Sequence, residues 1–117
     1  MRHGNKNRTF GRVRKQRTAL MRGLAISLIR DGQIKTTTAK AKELRPLAER
    51  LVTYAKDGTV AARRKAATML GEPKPETITK LFNEIAPKFK DRNGGYTRVI
   101  KMGRTDGRDE AVIEYVE

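Results

Sequence analysis

Residues 33 to 46, Gln-Ile-Lys-Thr-Thr-Thr-Ala-Lys-Ala-Lys-Glu-Leu-Arg-Pro, constrain this chain more than any other stretch, because they turn a short strand directly into a long basic helix. Gln33 to Thr37 holds β-branched residues suited to a pleated strand, and the hydroxyls of Thr37 and Thr38 can accept bonds from the unpaired amides that open a helix. Beyond them Ala41, Leu44, Leu47, Ala48, Leu51, Val52 and Ala55 recur at helical spacing. Lys40, Lys42, Arg45, Arg50 and Lys56 mostly fall off that stripe, so one face builds a core and the other can meet anions. Taken alone, such a face reads more simply as a solvated surface. The charge of the whole chain changes that balance.

The 27 Lys and Arg against 13 Asp and Glu leave a net charge of +14 and a pI near 10.7 in 117 residues. A chain of this length suits one domain with a small core. So large an excess repels itself in free solution and calls for a polyanion, either nucleic-acid phosphate or an anionic membrane surface. The apolar run Gly23 to Ile29 is far too short to span a bilayer and follows no secretory-type leader, which favours nucleic acid and a cytosolic setting. With no cysteine, disulfide frameworks and thiolate metal sites are excluded.

Charge is concentrated at the front: nine basic residues precede the first carboxylate, Asp31. Met1 to Arg12 has glycines and asparagines in place of apolar periodicity and reads as an extended arm that orders along phosphates. Phe10 suits either stacking on an unpaired base or anchoring the arm. His3, without a second metal-binding side chain, is a donor in a basic arm. A first helix is expected from about Arg17 to Asp31, burying Leu20, Leu24, Leu28 and Ile29 and ending at Gly32. Its start is open, since Thr9 and Thr18 would each cap a different length.

Pro46 lies inside a pattern that stays in phase on both sides, which predicts a kinked helix. Thr59 caps a third helix over 60–70, small-sided and carrying Arg63, Arg64 and Lys65 outside, with Gly71 stopping it. A fourth follows over 76–86 with Ile78, Leu81, Phe82 and Ile85 as its stripe, and Phe89 stays in phase beyond Pro87. Arg92 to Gly95 is a turn whose amides could cradle phosphate, or simply a tight turn. It leads into a strand over 96–102, a polar loop over 103–109 and a last strand over 110–117 with Ala111, Ile113 and Tyr115 on one face.

The sequence has no phosphate-binding loop with its lysine, no nucleophile elbow and no histidine pair at metal spacing. Asp106, Asp109 and Glu110 form an acidic cluster in a Gly-Arg loop, which reads as a plain hairpin loop. A DNA-organising protein, the alternative from another class, would need a recognition helix and usually a dimer interface; neither is evident.

Several segments together resemble the L-seventeen family of bacterial large-subunit ribosomal proteins. They are Met1-Arg2-His3, Ile34-Lys35-Thr36-Thr37, Lys40 to Arg45, Leu81-Phe82, and Arg92 with Gly94 to Arg98. The resemblance runs end to end. It implies a non-catalytic assembly protein without cofactor, bound to large-subunit ribosomal RNA near the polypeptide exit region, with proteins number twenty-two and thirty-two as neighbours. No membrane, small-molecule substrate or self-association is expected. With the pattern above, it implies an α+β, two-layer domain in the order α-β-α-α-α-β-β, with a small three-stranded mixed sheet packed by helices. The arm is assigned to residues 1–16 and the domain to 17–117. The residues expected to meet RNA are Arg2, His3, Lys6, Arg8, Arg12, Arg14 and Lys15 in the arm, and Arg17 and Arg22 on the first helix. Lys35, Lys40, Lys42 and Arg45 around the corner, and Arg92, Arg98 and Lys101 at the last turn and strand, complete the set.

Overall fold

A computed structural model describes residues 13–105 and 107–116. The strand-to-helix corner forms as the spacing predicts: β1 (Gln33–Thr37) passes straight into α2 (Thr38–Asp57). The Thr37 hydroxyl accepts from the Lys40 amide at 3.3 Å, satisfying one of the free donors at the helix start. Ala41, Leu44, Ala48, Leu51, Val52 and Ala55 are buried along α2, and Gly58, left-handed at φ 71°, closes it with its amide on the Tyr54 carbonyl. The helix runs unbroken through Pro46. Because proline has no N–H, the Lys42 carbonyl loses its usual helical partner there.

The first helix, α1 (Arg14–Asp31), starts three residues before the expected Arg17. Val13 occupies the cap position in extended conformation with no side-chain bond, and Thr18 lies within the helix; Thr9 falls outside the described residues. The strong helix formers Arg14, Lys15, Gln16 and Arg17 extend the helix without a capping hydroxyl. At about 100° per residue, Ala25, Leu28 and Ile29 share one face and Leu20 points well away from it. Ala25 therefore takes the buried place expected of Leu20.

Thr59 caps α3 (Val60–Met69) by accepting from the Ala62 amide at 3.1 Å. The chain leaves α3 through two successive left-handed residues, Gly71 and Glu72, with the Glu72 amide donating to the Ala67 carbonyl at 2.8 Å. The expected helix over 76–86 divides into three: α4 (Pro75–Lys80), a π turn over Leu81–Ile85 and a 3₁₀ turn over Ala86–Phe89. Pro87 gives the physical reason, since its ring crowds the carbonyl four residues back and has no amide to donate. The Ala86 amide reaches back five residues to Leu81 instead. The chain so stays helical past Pro87 and delivers Phe89 to the core, 1% exposed.

The first of the last two strands is longer than the pattern implied, and the second is shifted toward the N-terminus. β2 (Thr97–Thr105) and β3 (Arg108–Tyr115) absorb most of the stretch expected to be a loop over 103–109. A register shift between Lys101 and Gly103, with Gly103 at φ 87°, lets the ladder resume beyond the irregularity. The sheet order is β1-β3-β2 and every pairing is antiparallel, so the sheet is not mixed as expected. β1 and β2 run the same way, but β3 lies between them and alternates the direction.

Ala111 and Ile113, both fully buried on central β3, face the helices, and Ile34, Val99 and Tyr115 pack around them. Phe89 packs in tilted arrangement against Tyr96 and Tyr115, with ring centroids 5.3 and 6.2 Å away. On the other face of the sheet Ile100 and Met102 are exposed. The result is the α+β arrangement of helices on one sheet face that the sequence implied.

Candidate nucleic-acid interface

Charge is divided unequally along the fold. Through Lys56 the chain carries fifteen Lys and Arg and three acids; after it, twelve and ten. The arm together with α1, β1 and α2 therefore holds the excess, and the region from α3 to β3 is close to neutral.

The sheet illustrates the balanced half. The Arg98 guanidinium meets the Glu114 carboxylate across the β2–β3 pair at 2.6 Å, and the Lys35 ammonium lies 3.7 Å from Glu110 across the β1–β3 pair. Both glutamates are mostly covered, so these expected RNA-facing cations already have partners. Lys101 is exposed on β2. At the glycine turn, Arg92 folds back to donate to the Gly95 carbonyl at 3.4 Å, and its own carbonyl accepts from the Lys56 ammonium. That ammonium also donates to the Tyr96 hydroxyl at 3.0 Å, which lowers the phenol's pKa below its ordinary value. The turn is a packed junction in which the Arg92 side chain and Lys56 close the backbone, with Gly94 and Gly95 supplying the positive φ.

The helical half is different. Lys42, Arg45 and Arg50 are exposed along α2, and Lys40 is partly so. Arg14 and Lys15 are exposed in the first turn of α1, with Arg17 half-buried beside them. α1 and α2 enclose a groove of about 580 Å³ whose walls carry Arg14, Arg17, Arg22 and Arg50, with Glu43. Met21, Leu47 and Met69 form its apolar part. Arg22 is committed to the fold: its guanidinium donates to the carbonyls of Met69 at 3.1 Å and Thr68 at 3.3 Å in the last turn of α3. Among the described residues Arg14, Arg17 and Arg50 have no ion-pair partner.

The structure thus brings Arg14, Arg17 and Arg22 together with Arg50, which the sequence placed off the core stripe without assigning it to RNA. It separates them from Arg92, Arg98 and Lys101 at the sheet. Only pairing of the two helices could reveal Arg50, because its own spacing does not say which flank of α2 faces α1. Arg63, also unassigned, lies over the Phe82 ring at 5.0 Å, and Lys65 lies 5.9 Å from the Tyr54 ring. Arg2, His3, Lys6, Arg8 and Arg12 fall outside the described residues, as does Phe10. Of the acidic cluster, Asp109 and Glu110 sit in the β3 ladder opposite Arg104 and Gly103, and Asp106 is outside the described residues. Among the described residues no group of three His, Asp or Glu could hold a metal ion.

Comparison with known proteins supports the same reading. The family described as Ribosomal protein L17 matches residues 20–116. The large ribosomal subunit protein bL17 of Thermodesulfovibrio yellowstonii is 52% identical over 119 residues, covering 100% of this chain and 88% of the relative. That of Hydrogenobaculum sp. is 50% identical over 120 residues, covering 100% of both. That of Persephonella marina is 52% identical over 120 residues, covering 100% of this chain and 96% of the relative. A match over the whole chain at this identity, on an α+β scaffold whose first half carries an excess of positive charge, leads to one conclusion: the chain belongs to the ribosomal protein L17 family, non-catalytic structural constituents of the bacterial large ribosomal subunit.

Proposed function

We propose that this chain binds large-subunit ribosomal RNA chiefly by neutralising phosphates with the α1–α2 face and the arm of residues 1–16, whose last three residues form the first turn of α1. The observation that carries this is the division of charge: among the described residues Arg14, Arg17, Arg45 and Arg50 on the two helices have no carboxylate partner, and Lys35 and Arg98 are tied into the fold at the sheet. Unpaired Lys and Arg at a surface gain most when they displace the counterions condensed on RNA. Exposed helical lysines and arginines read backbone shape, with little base discrimination of their own. The chain accordingly supports folding of the surrounding RNA during assembly. Its resemblance to the family adds the polypeptide exit region as its place, and ribosomal proteins number twenty-two and thirty-two as neighbours.

Binding to large-subunit RNA as a function of salt tests this reading. Removing residues 1–12 takes away Arg2, Lys6, Arg8 and Arg12, and at about 0.7 per phosphate contact the log–log salt slope should fall by up to about 3. An unchanged slope would place the RNA contacts elsewhere. Crosslinking on native subunits checks the neighbours, and the absence of contacts to proteins twenty-two and thirty-two would remove that part of the reading.

A further inference from the structure

Arg14, Thr18, Met21, Arg22, Ala25, Leu28 and Ile29 lie along one continuous stripe of α1, with Arg17 at its margin. Its C-terminal half is core, with Ala25, Leu28 and Ile29 fully buried. Its N-terminal half is the wall of the groove. The seam between α1 and α2 is therefore closed by apolar side chains at one end and left open at the other, where arginines replace them. On α2 the facing residues are Glu43, Leu47 and Arg50, on the flank opposite the one that Glu49 turns toward β2. Met69, at the end of α3, completes the apolar part, and the Arg22 guanidinium holds that end in place.

From this arrangement we infer that the groove is a receptor for a single unpaired nucleotide, extruded from an RNA helix. The base covers Met21, Leu47 and Met69, and its flanking phosphates meet Arg14, Arg17 and Arg50. This rests on the proposal that the chain binds RNA, and goes beyond phosphate neutralisation by assigning one site for a base. Two features favour such an occupant over a regular duplex. An apolar surface rimmed by guanidiniums matches the two-sided chemistry of a nucleotide, flat and poorly hydrated on the base face and anionic on the backbone. A duplex presents its phosphates on a convex surface and would leave the recessed apolar part of a 580 Å³ groove unfilled.

The chain has four methionines, which give the test its probe. Met21 and Met69 lie in the groove, Met102 is exposed on the sheet, and Met1 starts the arm. The full-length protein, labelled at the methionine methyl groups, is titrated with an RNA hairpin carrying one unpaired nucleotide and with the otherwise identical fully paired hairpin. The expected result is a shift of Met21 and Met69 with the first hairpin and not the second, with Met102 unmoved by either. Arg17→Gln with Arg50→Gln should weaken the bulged hairpin's binding by at least about tenfold while the melting temperature is retained, on the usual strength of charge-assisted bonds. Leu47→Ser is the second variant and should reduce the preference for the bulged hairpin. Equal shifts with both hairpins would overturn the inference in favour of a phosphate-only groove. Binding that leaves Met21 and Met69 still would overturn it while leaving RNA binding intact. No shift or affinity with either RNA would sink both readings.

Discussion

Glu49 joins the helical layer to the sheet. One carboxylate oxygen accepts from the Tyr96 amide at 3.0 Å, and the other from the Thr97 amide and hydroxyl, both at 2.7 Å. Thr97 is 2% exposed, so these donors have no water to turn to if the acceptor is lost. Glu49→Ala should cost about 2–4 kcal/mol, and Glu49→Gln, which keeps one acceptor oxygen, distinctly less. Urea denaturation of the two variants checks this, and equal losses would mean that the side chain's packing, not its acceptors, matters. Tyr115 supplies a pH dependence. Burial, with a further contribution from the Glu49 charge, raises its pKa well above the ordinary 10.0. A raised folded-state pKa gives stability that is complete below the unfolded value and lost as pH climbs beyond it. Stability should therefore fall above about pH 10, and Tyr115→Phe should flatten that fall relative to the parent chain. An identical alkaline profile in the variant would assign the loss to other groups, the lysines foremost.

At the scale of elements, α2 carries the fold despite an interior proline. Pro46 is exposed and the helix is continuous through it, so its pyrrolidine serves no buried contact that alanine would forfeit. Pro46→Ala should raise the melting temperature, with a gain approaching about 3 kcal/mol if the missing bond to Lys42 is restored without strain. A lower melting temperature would show that the Pro46 ring contributes more to the fold than its missing bond costs. The Arg92–Gly95 turn makes the opposite demand. Gly94 and Gly95 hold φ of 85° and 62°, and a Cβ at either would meet open space or only the Arg92 guanidinium at 3.9 Å. The strain of Ala there is thus conformational, about 1–2 kcal/mol per position. The double Ala variant should lose stability as well as RNA affinity; retained stability with lost affinity would make the turn a phosphate site.

Across the whole molecule the two ends of the fold divide the work. On the sheet Arg98 and Lys35 are held by Glu114 and Glu110, whereas among the described residues Arg14 and Arg17 on α1 and Arg45 and Arg50 on α2 have no ion-pair partner. Arg45→Gln with Arg50→Gln should therefore lower the RNA salt slope by about 1.4. Arg98→Gln removes a guanidinium already held by Glu114 and should leave the slope nearly unchanged. Equal effects of the two changes would return the sheet to the RNA interface.

The sequence by itself determined what depends on neighbours along the chain. The Thr37 and Thr59 caps, the stop at Gly32, and the buried stripe of α2 apart from half-buried Leu47 are set by side chains within a turn or two of each other, and are found where their spacing put them. The large excess of positive charge is likewise a property of composition. Tertiary structure alone decided what depends on groups far apart. Leu20 or Ala25 could lie in the seam until α2 was docked, and β3 could pair with either strand or both until the core drew Ala111 and Ile113 between Ile34 and Val99. The same holds for the site. Whether a cation is free is a matter of which carboxylate lies across the sheet, as Glu114 does for Arg98. Whether Arg17 and Arg50 make a site is a matter of two helices meeting, and no spacing within either one records that they do.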